Sequence, residues 1–312
     1  MKLFSLNASS FIGASVAAEL GVTPSAHEER EFEDTEFKVR PLDDVRGERV
    51  VVCQSLFADE RASASDKLFR LLVFIGALKD AGAGEVVALV PYLAYSRKDR
   101  RTKPGDPVTT RYVASFFEAA GTDAIVTADV HEPAAFENAF GCRKVNVDAV
   151  ALFVEHFAAT LPRGQRVVAL SPDAGGMKRA IRFGQALAER IGEPVGLALM
   201  EKQRSEGLVR GDVFGGDVAG AAVVIVDDMI STGTTMLRAA RAARERGATA
   251  VHVAATHAVF SAGAPQALAA SEIESVAVTD TVRSTRADDP ALRDKLTVLG
   301  IAPLLAAAVN AV

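Results

Sequence analysis

The chain has 312 residues, a length that predicts two domains of about 150 residues each. Hydrophobic residues make up 49% of the chain, enough to fill two ordinary cores. The formal net charge of −5 argues against a dedicated nucleic-acid-binding protein, which would carry a basic excess. Two cysteines cannot build a disulfide framework or a zinc site, and no apolar run is long enough to cross a membrane. We therefore expect a cytoplasmic protein that binds neither nucleic acid nor membranes.

Short apolar runs rich in Val and Ile recur along the chain, and most of them end in polar or acidic residues. Such runs are typical of strands that are buried on both faces of a parallel sheet. They cover residues 50–52, 86–91, 124–129, 167–173, 222–228, 251–255 and 276–280. Between them, apolar side chains at helical spacing predict helices over 66–81 and 108–120. Gly121 and Gly247 stand where helix C-termini are expected.

The alternation of strands and helices predicts the fold class. It is typical of α/β proteins with doubly wound, mainly parallel sheets, and the acidic strand ends in both halves indicate two similar domains. We place the boundary near residue 148, which gives domains of 1–148 and 149–312. Ligands of open α/β sheets bind outside the carboxyl ends of the strands, which is where these acidic residues fall.

The strongest motif begins in the predicted strand at 223–226 and runs through Asp227 and Asp228 into a loop and a helix. Gly233 frees backbone N–H groups at the start of that helix, where a phosphate dianion would bind. The adjacent carboxylates suit neighbouring hydroxyls of a sugar, so the motif predicts a pocket for a phosphorylated ribose. The hydroxyls that would join the phosphate site belong to Ser231, Thr232, Thr234 and Thr235. Helix capping alone would explain the threonines but not the paired aspartates before them.

A second junction of strand, loop and helix spans residues 171–179, with the sequence Ser-Pro-Asp-Ala-Gly-Gly-Met-Lys-Arg. Gly175 and Gly176 allow the backbone to approach a diphosphate, and Asp173 offers a carboxylate to a metal ion. The plainer alternative is a glycine turn that only caps the following helix.

With four further segments, these motifs make the chain resemble the ribose-phosphate diphosphokinase (PRPP synthetase) family over nearly its whole length. The further segments are residues 31–36, 90–101, 127–131 and 200–204. The resemblance implies an enzyme that transfers the β,γ-diphosphate of Mg-ATP to the anomeric hydroxyl of ribose 5-phosphate, giving PRPP and AMP. It also implies Mg²⁺ as the cofactor and a phosphoribosyltransferase-like fold. The first domain would be the ATP side and the second would bind ribose 5-phosphate.

The acidic segment 31–36 matches a loop that reads adenine in the resembled family. Phe32, Asp34 and Glu36 match that loop, in which Phe stacks on adenine and the acidic residues contact the base. Thr35 stands where the family has a glycine, and we include it in the ATP-binding set. In the family this loop reaches a neighbouring subunit's ATP site, which implies a homo-oligomer with shared sites.

The remaining matches concern the nucleotide and the transferred group. Arg97 matches an ATP-contacting arginine, and Lys98 replaces its glutamine partner. His131 matches a histidine that helps to hold Mg-ATP, and with Asp173 it forms the predicted metal-binding set. In the segment 200–204, two cations match the family's mobile catalytic loop, which implies that they stabilise the transferred diphosphate. They are Lys202 and Arg204.

Two other functions stay open at this point. A purine or pyrimidine phosphoribosyltransferase would share the Asp227 loop, but it needs no ATP site and would leave the first domain unexplained. A catalytically impaired regulatory homologue would keep the whole fold, and the retained His131, Asp173, Lys202 and Arg204 weigh against it.

The loop at residues 102–107 bears on regulation. Common members of the resembled family bind phosphate or ADP between subunits through a loop that contains Ser and Arg. Here the corresponding loop carries one cation, Lys103, together with Asp106 and two prolines. We expect weak activation by phosphate and weak inhibition by ADP.

Overall fold

The computed structural model describes residues 1–205 and 208–312, with the side chains of 202–212 outside the described part. The chain divides into two compact units, the first formed by Met1–Val147 with Gly300–Val312 and the second by Asp148–Leu299. In the described ranges, no helix combines the length and the apolar character that a membrane crossing requires.

The first unit is an α/β domain built on a five-stranded sheet. Its elements are β1 (Lys2–Ser5), α1 (Ser10–Glu19), β2 (His27–Glu31), β3 (Phe37–Pro41), β4 (Arg49–Cys53), α2 (Ala64–Asp80), β5 (Glu85–Val90), α3 (Thr109–Ala119), β6 (Ala124–Ala128), α4 (Pro133–Ala139) and β7 (Arg143–Val147). The sheet has the order β1-β4-β5-β6-β7, and all of its pairs are parallel. β2 and β3 form a separate antiparallel hairpin.

The second unit contains a seven-stranded sheet. Its elements are α5 (Val150–Thr160), β8 (Val167–Ser171), α6 (Met177–Ile191), β9 (Val195–Ser205), β10 (Leu208–Gly215), β11 (Ala222–Met229), α7 (Thr234–Glu245), β12 (Ala250–His257), α8 (Ala264–Leu268), β13 (Ser275–Thr279) and β14 (Leu296–Leu299). The order is β10-β9-β8-β11-β12-β13-β14, and β10 is the antiparallel strand at one edge. The fold class predicted from the sequence is confirmed.

The apolar runs form the central strands, and because successive side chains point to opposite faces, their continuous burial shows that both faces are covered. In β4 the residues Val50 to Cys53 have no exposed surface, and Cys53 is a buried free cysteine. Burial raises the pKa of that thiol to about 12. The two expected helices are α2, which begins with a capping box between Ser63 and Asp66, and α3.

The expected second domain, 149–312, is wrong at its C-terminal end. The last helix, α9 (Ala302–Ala311), belongs to the first unit, where it packs on α1 and on β6 and β7. Its apolar face is buried, with Leu305 and Val309 fully inaccessible. Arg49 from β4 donates hydrogen bonds of 2.7 Å to the backbone oxygens of Val309 and Val312. These bonds satisfy carbonyl groups that a helix C-terminus leaves unpaired.

Residues 200–204 were expected to form a loop, because they resemble the mobile catalytic loop of the family. In the structure they lie in strand β9. The ladder with β10 pairs the backbone of Lys202 with Asp212 and that of Arg204 with Val209, and a bulge follows Val209. The predicted catalytic side chains of Lys202 and Arg204 themselves lie outside the described residues.

The tip of the β2–β3 hairpin contains a strained residue. Thr35 has φ of +71°, a left-handed conformation that is unfavourable for a β-branched side chain. Its N–H donates to the Phe32 carbonyl at 3.0 Å, so the turn holds the residue in this conformation.

We expect Thr35→Gly to raise the free energy of unfolding by about 1 kcal/mol, because glycine relieves the strain and loses only part of that gain to chain entropy. Equilibrium urea unfolding measures the change. Thr35→Ala is the control, since it keeps a Cβ atom and should recover only a fraction of the gain. A Thr35→Gly variant that unfolds at lower urea than the parent would show that the turn carries no such strain.

Candidate active site

The loop between β11 and α7 presents a cluster of hydroxyls at a helix N-terminus. Gly233 is the N-cap residue with φ of +73°, and an added Cβ would lie 3.1 Å from Ala267 Cβ, so the position requires glycine. The exposed hydroxyls of Thr232 and Thr234 lie 2.8 Å apart. Ser231 and Thr235 are half-buried beside them. All five residues predicted for phosphate therefore meet where unpaired backbone N–H groups and the helix dipole favour an anion.

A second loop backs this hydroxyl cluster. Phe260 N donates to the Ile230 carbonyl at 3.0 Å, and Ser261 N donates to the Ser231 carbonyl at 2.9 Å. At the end of β12, buried His257 places Nδ1 2.8 Å from the Thr281 hydroxyl. These residues belong to none of the recognised motifs. The backbone hydrogen bonds of Phe260 and Ser261 fix the rear of the loop, and no local sequence pattern predicts them.

The paired carboxylates lie at the carboxyl end of β11, as predicted. Asp228 is only 2% exposed, and Asp227 is half-buried beside it. Asp228 N donates to Asp227 Oδ1 at 2.9 Å. Burial, and then the neighbouring charge of Asp228, raise the pKa of Asp227 well above its usual value, while Arg179 opposes this shift.

The predicted diphosphate loop follows β8, which is the direct neighbour of β11 in the sheet. Asp173 Oδ1 accepts from Gly176 N at 3.0 Å, and Ser171 Oγ donates to the Asp173 carbonyl at 2.6 Å. An added Cβ at Gly176 would lie 2.8 Å from Ser171 Oγ, so this position also requires glycine. Asp173 and Gly175 are exposed. The predicted diphosphate loop and the loop between β11 and α7 thus lie side by side at the carboxyl ends of two neighbouring strands.

Two arginines of this edge were given no role by the sequence analysis. Arg179, in the first turn of α6, places Nη1 3.7 Å from Asp227 Oδ1 and 4.0 Å from Asp228 Oδ1. Arg238, in α7, interacts with Asp173: burial lowers the pKa of the guanidinium, and the Asp173 charge opposes that change. Each contact joins residues that are far apart in sequence, so neither could be predicted from a local motif. This holds even for Arg179, which lies within the motif at residues 171–179.

In the first unit, the basic segment forms the loop between β5 and α3. Arg97 is exposed, whereas Lys98 Nζ lies 2.7 Å from Asp106 Oδ2. The same oxygen accepts from Thr102 Oγ1 at 2.6 Å and from the backbone N–H groups of Thr102 and Lys103 at 3.1 and 3.0 Å. These donors hold the pKa of Asp106 well below its usual value, with Lys98 the largest cause. Lys98, which was predicted to contact ATP, therefore forms an ion pair with a residue of its own loop.

The other predicted ATP contacts in the first unit lie in exposed positions. His131 follows β6 and is exposed, whereas Asp129, two residues earlier, is 4% exposed and has φ of +36°. At the hairpin tip, Phe32 is 41% exposed, and the Arg30 guanidinium stands 5.1 Å above its ring. The tip residues Asp34, Thr35 and Glu36 are exposed as well, and Asp34 Oδ1 accepts from Glu36 N at 3.2 Å.

The side chains suit a magnesium ion that is carried largely by substrate phosphates. In the part of the chain that the structure describes, no group of three His, Cys, Asp or Glu side chains could enclose a metal ion. Mg²⁺ usually keeps several waters and binds one or two carboxylates together with phosphate oxygens. The exposed carboxylate of Asp173 beside the diphosphate loop fits that pattern.

A doubly wound sheet with paired aspartates and a hydroxyl-rich loop at its carboxyl edge defines a phosphoribosyltransferase-like α/β protein. Residues 1–121 match the N-terminal domain of ribose phosphate pyrophosphokinase, and residues 211–312 match the phosphoribosyl synthetase-associated domain. The chain belongs to the ribose-phosphate pyrophosphokinase family. This assignment confirms the resemblance inferred from the motifs.

Individual relatives are similar to this protein over almost its whole length. A ribose-phosphate pyrophosphokinase of Caldanaerobacter subterraneus is 34% identical over 311 residues, which cover 99% of this chain and 93% of that protein. Ribose-phosphate pyrophosphokinase 1 of Streptococcus pyogenes is 32% identical over 312 residues, with the same coverage. The crystal structure of phosphoribosylpyrophosphate synthetase from Mycobacterium smegmatis has a TM-score of 0.87 and 34% identity, covering 99% of this chain and 97% of that one.

Proposed function

We propose that the protein transfers the β,γ-diphosphate of Mg-ATP to the anomeric hydroxyl of ribose 5-phosphate in the cytoplasm, giving PRPP and AMP. The observation that carries the proposal is the adjacency of two loops at the carboxyl edge of the second sheet. One offers paired carboxylates and a hydroxyl-lined helix N-terminus, and the other offers a glycine-rich approach for a diphosphate. Family membership over both units supports the same reaction.

In the proposed reaction, the anomeric oxygen forms a bond to the β-phosphorus and its hydroxyl proton is released to the solvent. The bond from that phosphorus to the α,β-bridging oxygen breaks, and AMP leaves with that oxygen. Catalysis then consists of positioning and of stabilising charge on the phosphate oxygens. Ser231 and the residues from Thr232 to Thr235 hold the 5-phosphate, and Asp227 and Asp228 accept hydrogen bonds from the ribose hydroxyls. Gly175 and Gly176 let backbone N–H groups approach the diphosphate. Lys202 and Arg204 neutralise the transferred group as charge develops.

On the nucleotide side, we assign Phe32, Asp34 and Glu36 to the adenine and Arg97 to the triphosphate. Mg²⁺, with the Asp173 carboxylate as a protein ligand and phosphate oxygens as further ligands, would neutralise charge on the transferred diphosphate. Because imidazole is an unusual Mg²⁺ ligand, the contribution of His131 depends on oxygens supplied by the nucleotide.

A direct assay tests this proposal. AMP release is measured with ATP and ribose 5-phosphate together, and then with either substrate omitted. We expect AMP and PRPP to form in equal amounts only when both substrates are present. PRPP consumption with a free base and no ATP requirement would instead indicate a phosphoribosyltransferase. Binding of both substrates without turnover would indicate an impaired homologue.

We also propose that the active form is a homo-oligomer in which Phe32 serves a neighbouring subunit's ATP site. The exposed ring at the tip of the hairpin supports this arrangement, because a stacking residue needs a free face. We expect Phe32→Ala and Lys202→Ala chains, each of low activity alone, to regain part of the parent activity when mixed, since one hybrid site is then intact. Activity is measured after subunit exchange has been verified by mass. Exchange without recovery would contradict a shared site.

The loop from Lys98 to Asp106 predicts weak regulation by phosphate. Its anion-binding donors are already filled by the Asp106 carboxylate, which therefore takes the place of an added anion. We expect initial rates at saturating substrates to stay flat across a phosphate series at fixed ionic strength. Asp106→Ala should be less active without phosphate and recover as phosphate is added. A steep, saturable rise in the parent enzyme would contradict the prediction.

A further inference from the structure

The feature that carries a further inference is the turn that presents Arg97. Residues 94–97 form this turn in the loop between β5 and α3, with Ser96 buried and Arg97 exposed. Within the turn, Tyr95 has φ of +66°, a left-handed conformation that is unfavourable for a bulky side chain. Such strain persists only where the surrounding structure holds the residue in place. Contacts from outside the turn must therefore hold it in this conformation.

One of these contacts comes from Thr110, the second residue of α3, which is only 3% exposed. Its hydroxyl donates to the backbone carbonyl of Tyr95 at 3.1 Å and to that of Lys98 at 3.3 Å, so one proton is shared between two acceptors. The Thr110 backbone N–H also donates to the Lys98 carbonyl, at 3.4 Å. Because the two acceptors stand on either side of Arg97 along the chain, Thr110 fixes both ends of the segment that carries this arginine.

A second contact holds the side chain of Tyr95. Its hydroxyl lies 2.5 Å from Ser65 Oγ, in the first turn of α2, and either oxygen can donate the hydrogen bond. The turn is therefore tied to α2 through the tyrosine side chain and to α3 through its backbone carbonyl. These two ties fix the point from which the side chain of Arg97 extends.

We propose that Thr110 is a positioning residue whose buried hydroxyl holds the 95–98 segment in the conformation in which Arg97 binds the triphosphate of ATP. The inference rests on the proposed function, because it takes Arg97 to contact ATP. A segment that is free to move has to be ordered when the ligand binds, and the free energy spent on ordering it is lost from the affinity. The net value of one hydrogen bond of this kind corresponds to about tenfold in affinity.

Calorimetric titrations of Mg-ATP alone and of ribose 5-phosphate alone test the role. We expect Thr110→Val, which keeps the branched shape and removes the hydroxyl, to weaken Mg-ATP binding about tenfold and to leave ribose 5-phosphate binding unchanged. Thr110→Ser retains the hydroxyl and should bind Mg-ATP nearly as the parent does. Thr109→Val is the matched control, since Thr109 is the adjacent, half-buried threonine of the same helical turn, and it should bind both ligands as the parent does.

A double-mutant cycle with Arg97→Ala separates positioning from a general structural effect. If Thr110 acts through Arg97, Thr110→Val should weaken Mg-ATP binding in the Arg97→Ala protein by no more than about twofold. Equal losses in both backgrounds would overturn the inference, as would a Thr110→Ser protein that binds Mg-ATP as weakly as Thr110→Val. Thr110→Ala also removes the hydroxyl, and it replaces Thr110→Val in the same cycle if the valine variant does not fold.

Failure of the proposed function gives a different result. An Arg97→Ala protein that binds Mg-ATP as tightly as the parent would refute the ATP contact of Arg97, and the inference would be wrong with it. A parent protein that does not bind Mg-ATP would refute the proposed function itself. If Arg97→Ala weakens Mg-ATP binding but Thr110→Val and Thr110→Ala do not, only the positioning role of Thr110 is wrong.

Discussion

Lys202→Ala is expected to lower kcat by about 10²-fold or more while leaving the affinity for ribose 5-phosphate nearly unchanged. The reason is that its cation is needed mainly where negative charge develops on the transferred diphosphate. Its backbone is held in the β9–β10 ladder opposite Asp212, so the substitution should leave the strand pairing intact. Steady-state kinetics with both substrates varied gives kcat and KM separately.

Glu201→Ala serves as the control for this prediction, because Glu201 is the exposed neighbour of Lys202 in the same strand. We expect that variant to keep kcat within a small factor of the parent value. A Lys202→Ala enzyme whose loss is confined to KM would place the lysine in ground-state binding, and the catalytic assignment would be wrong.

Asp227→Asn combined with Asp228→Asn is expected to weaken ribose 5-phosphate binding by about 10²-fold, with little effect on ATP. Each carboxylate is expected to accept a charge-assisted hydrogen bond worth about 1.5 kcal/mol or more, and an amide accepts more weakly. Separate calorimetric titrations of the two ligands measure the effect.

Asp280→Asn is the control for the carboxylate pair. Asp280 directly follows β13, so it is another aspartate at the carboxyl edge of the same sheet, but it lies two strands away from β11. We expect this variant to bind ribose 5-phosphate as the parent does. Equal losses of ATP and ribose 5-phosphate in the double variant would mean that the pair organises the fold or the metal instead.

The sequence predicted the central strands well because a strand buried on both faces has to be apolar throughout. The runs around Val50, Val86 and Ile225 all became central strands, and their apolar residues 50–52, 86–90 and 222–225 have no exposed surface. Edge elements were harder to predict. The polar stretch at residues 201–206 has no clean alternation of apolar and polar residues, although β9 and β10 pair there as an antiparallel ladder.

In the candidate site, too, some features could be predicted from the sequence and others could not. Motifs that are continuous in sequence, such as Asp227 to Thr235, were found where they were expected. Residues that act across the fold were missed, because Arg179 reaches Asp227 only when α6 packs beside β11. Lys98 was expected to contact ATP, and its ion pair with Asp106 depends on how the intervening loop closes. Such contacts are decided by tertiary geometry that a single sequence does not state.

The return of α9 to the first unit has a consequence for synthesis on the ribosome. Domains generally fold as units in the order in which they emerge, but here the second unit is inserted within the first. Until residues 300–312 emerge, the apolar surface of α1 that α9 covers stays open, and Arg49 lacks the carbonyl groups of Val309 and Val312. While the whole second unit is being synthesised, the first unit therefore lacks its last helix and exposes the apolar surface that this helix will cover.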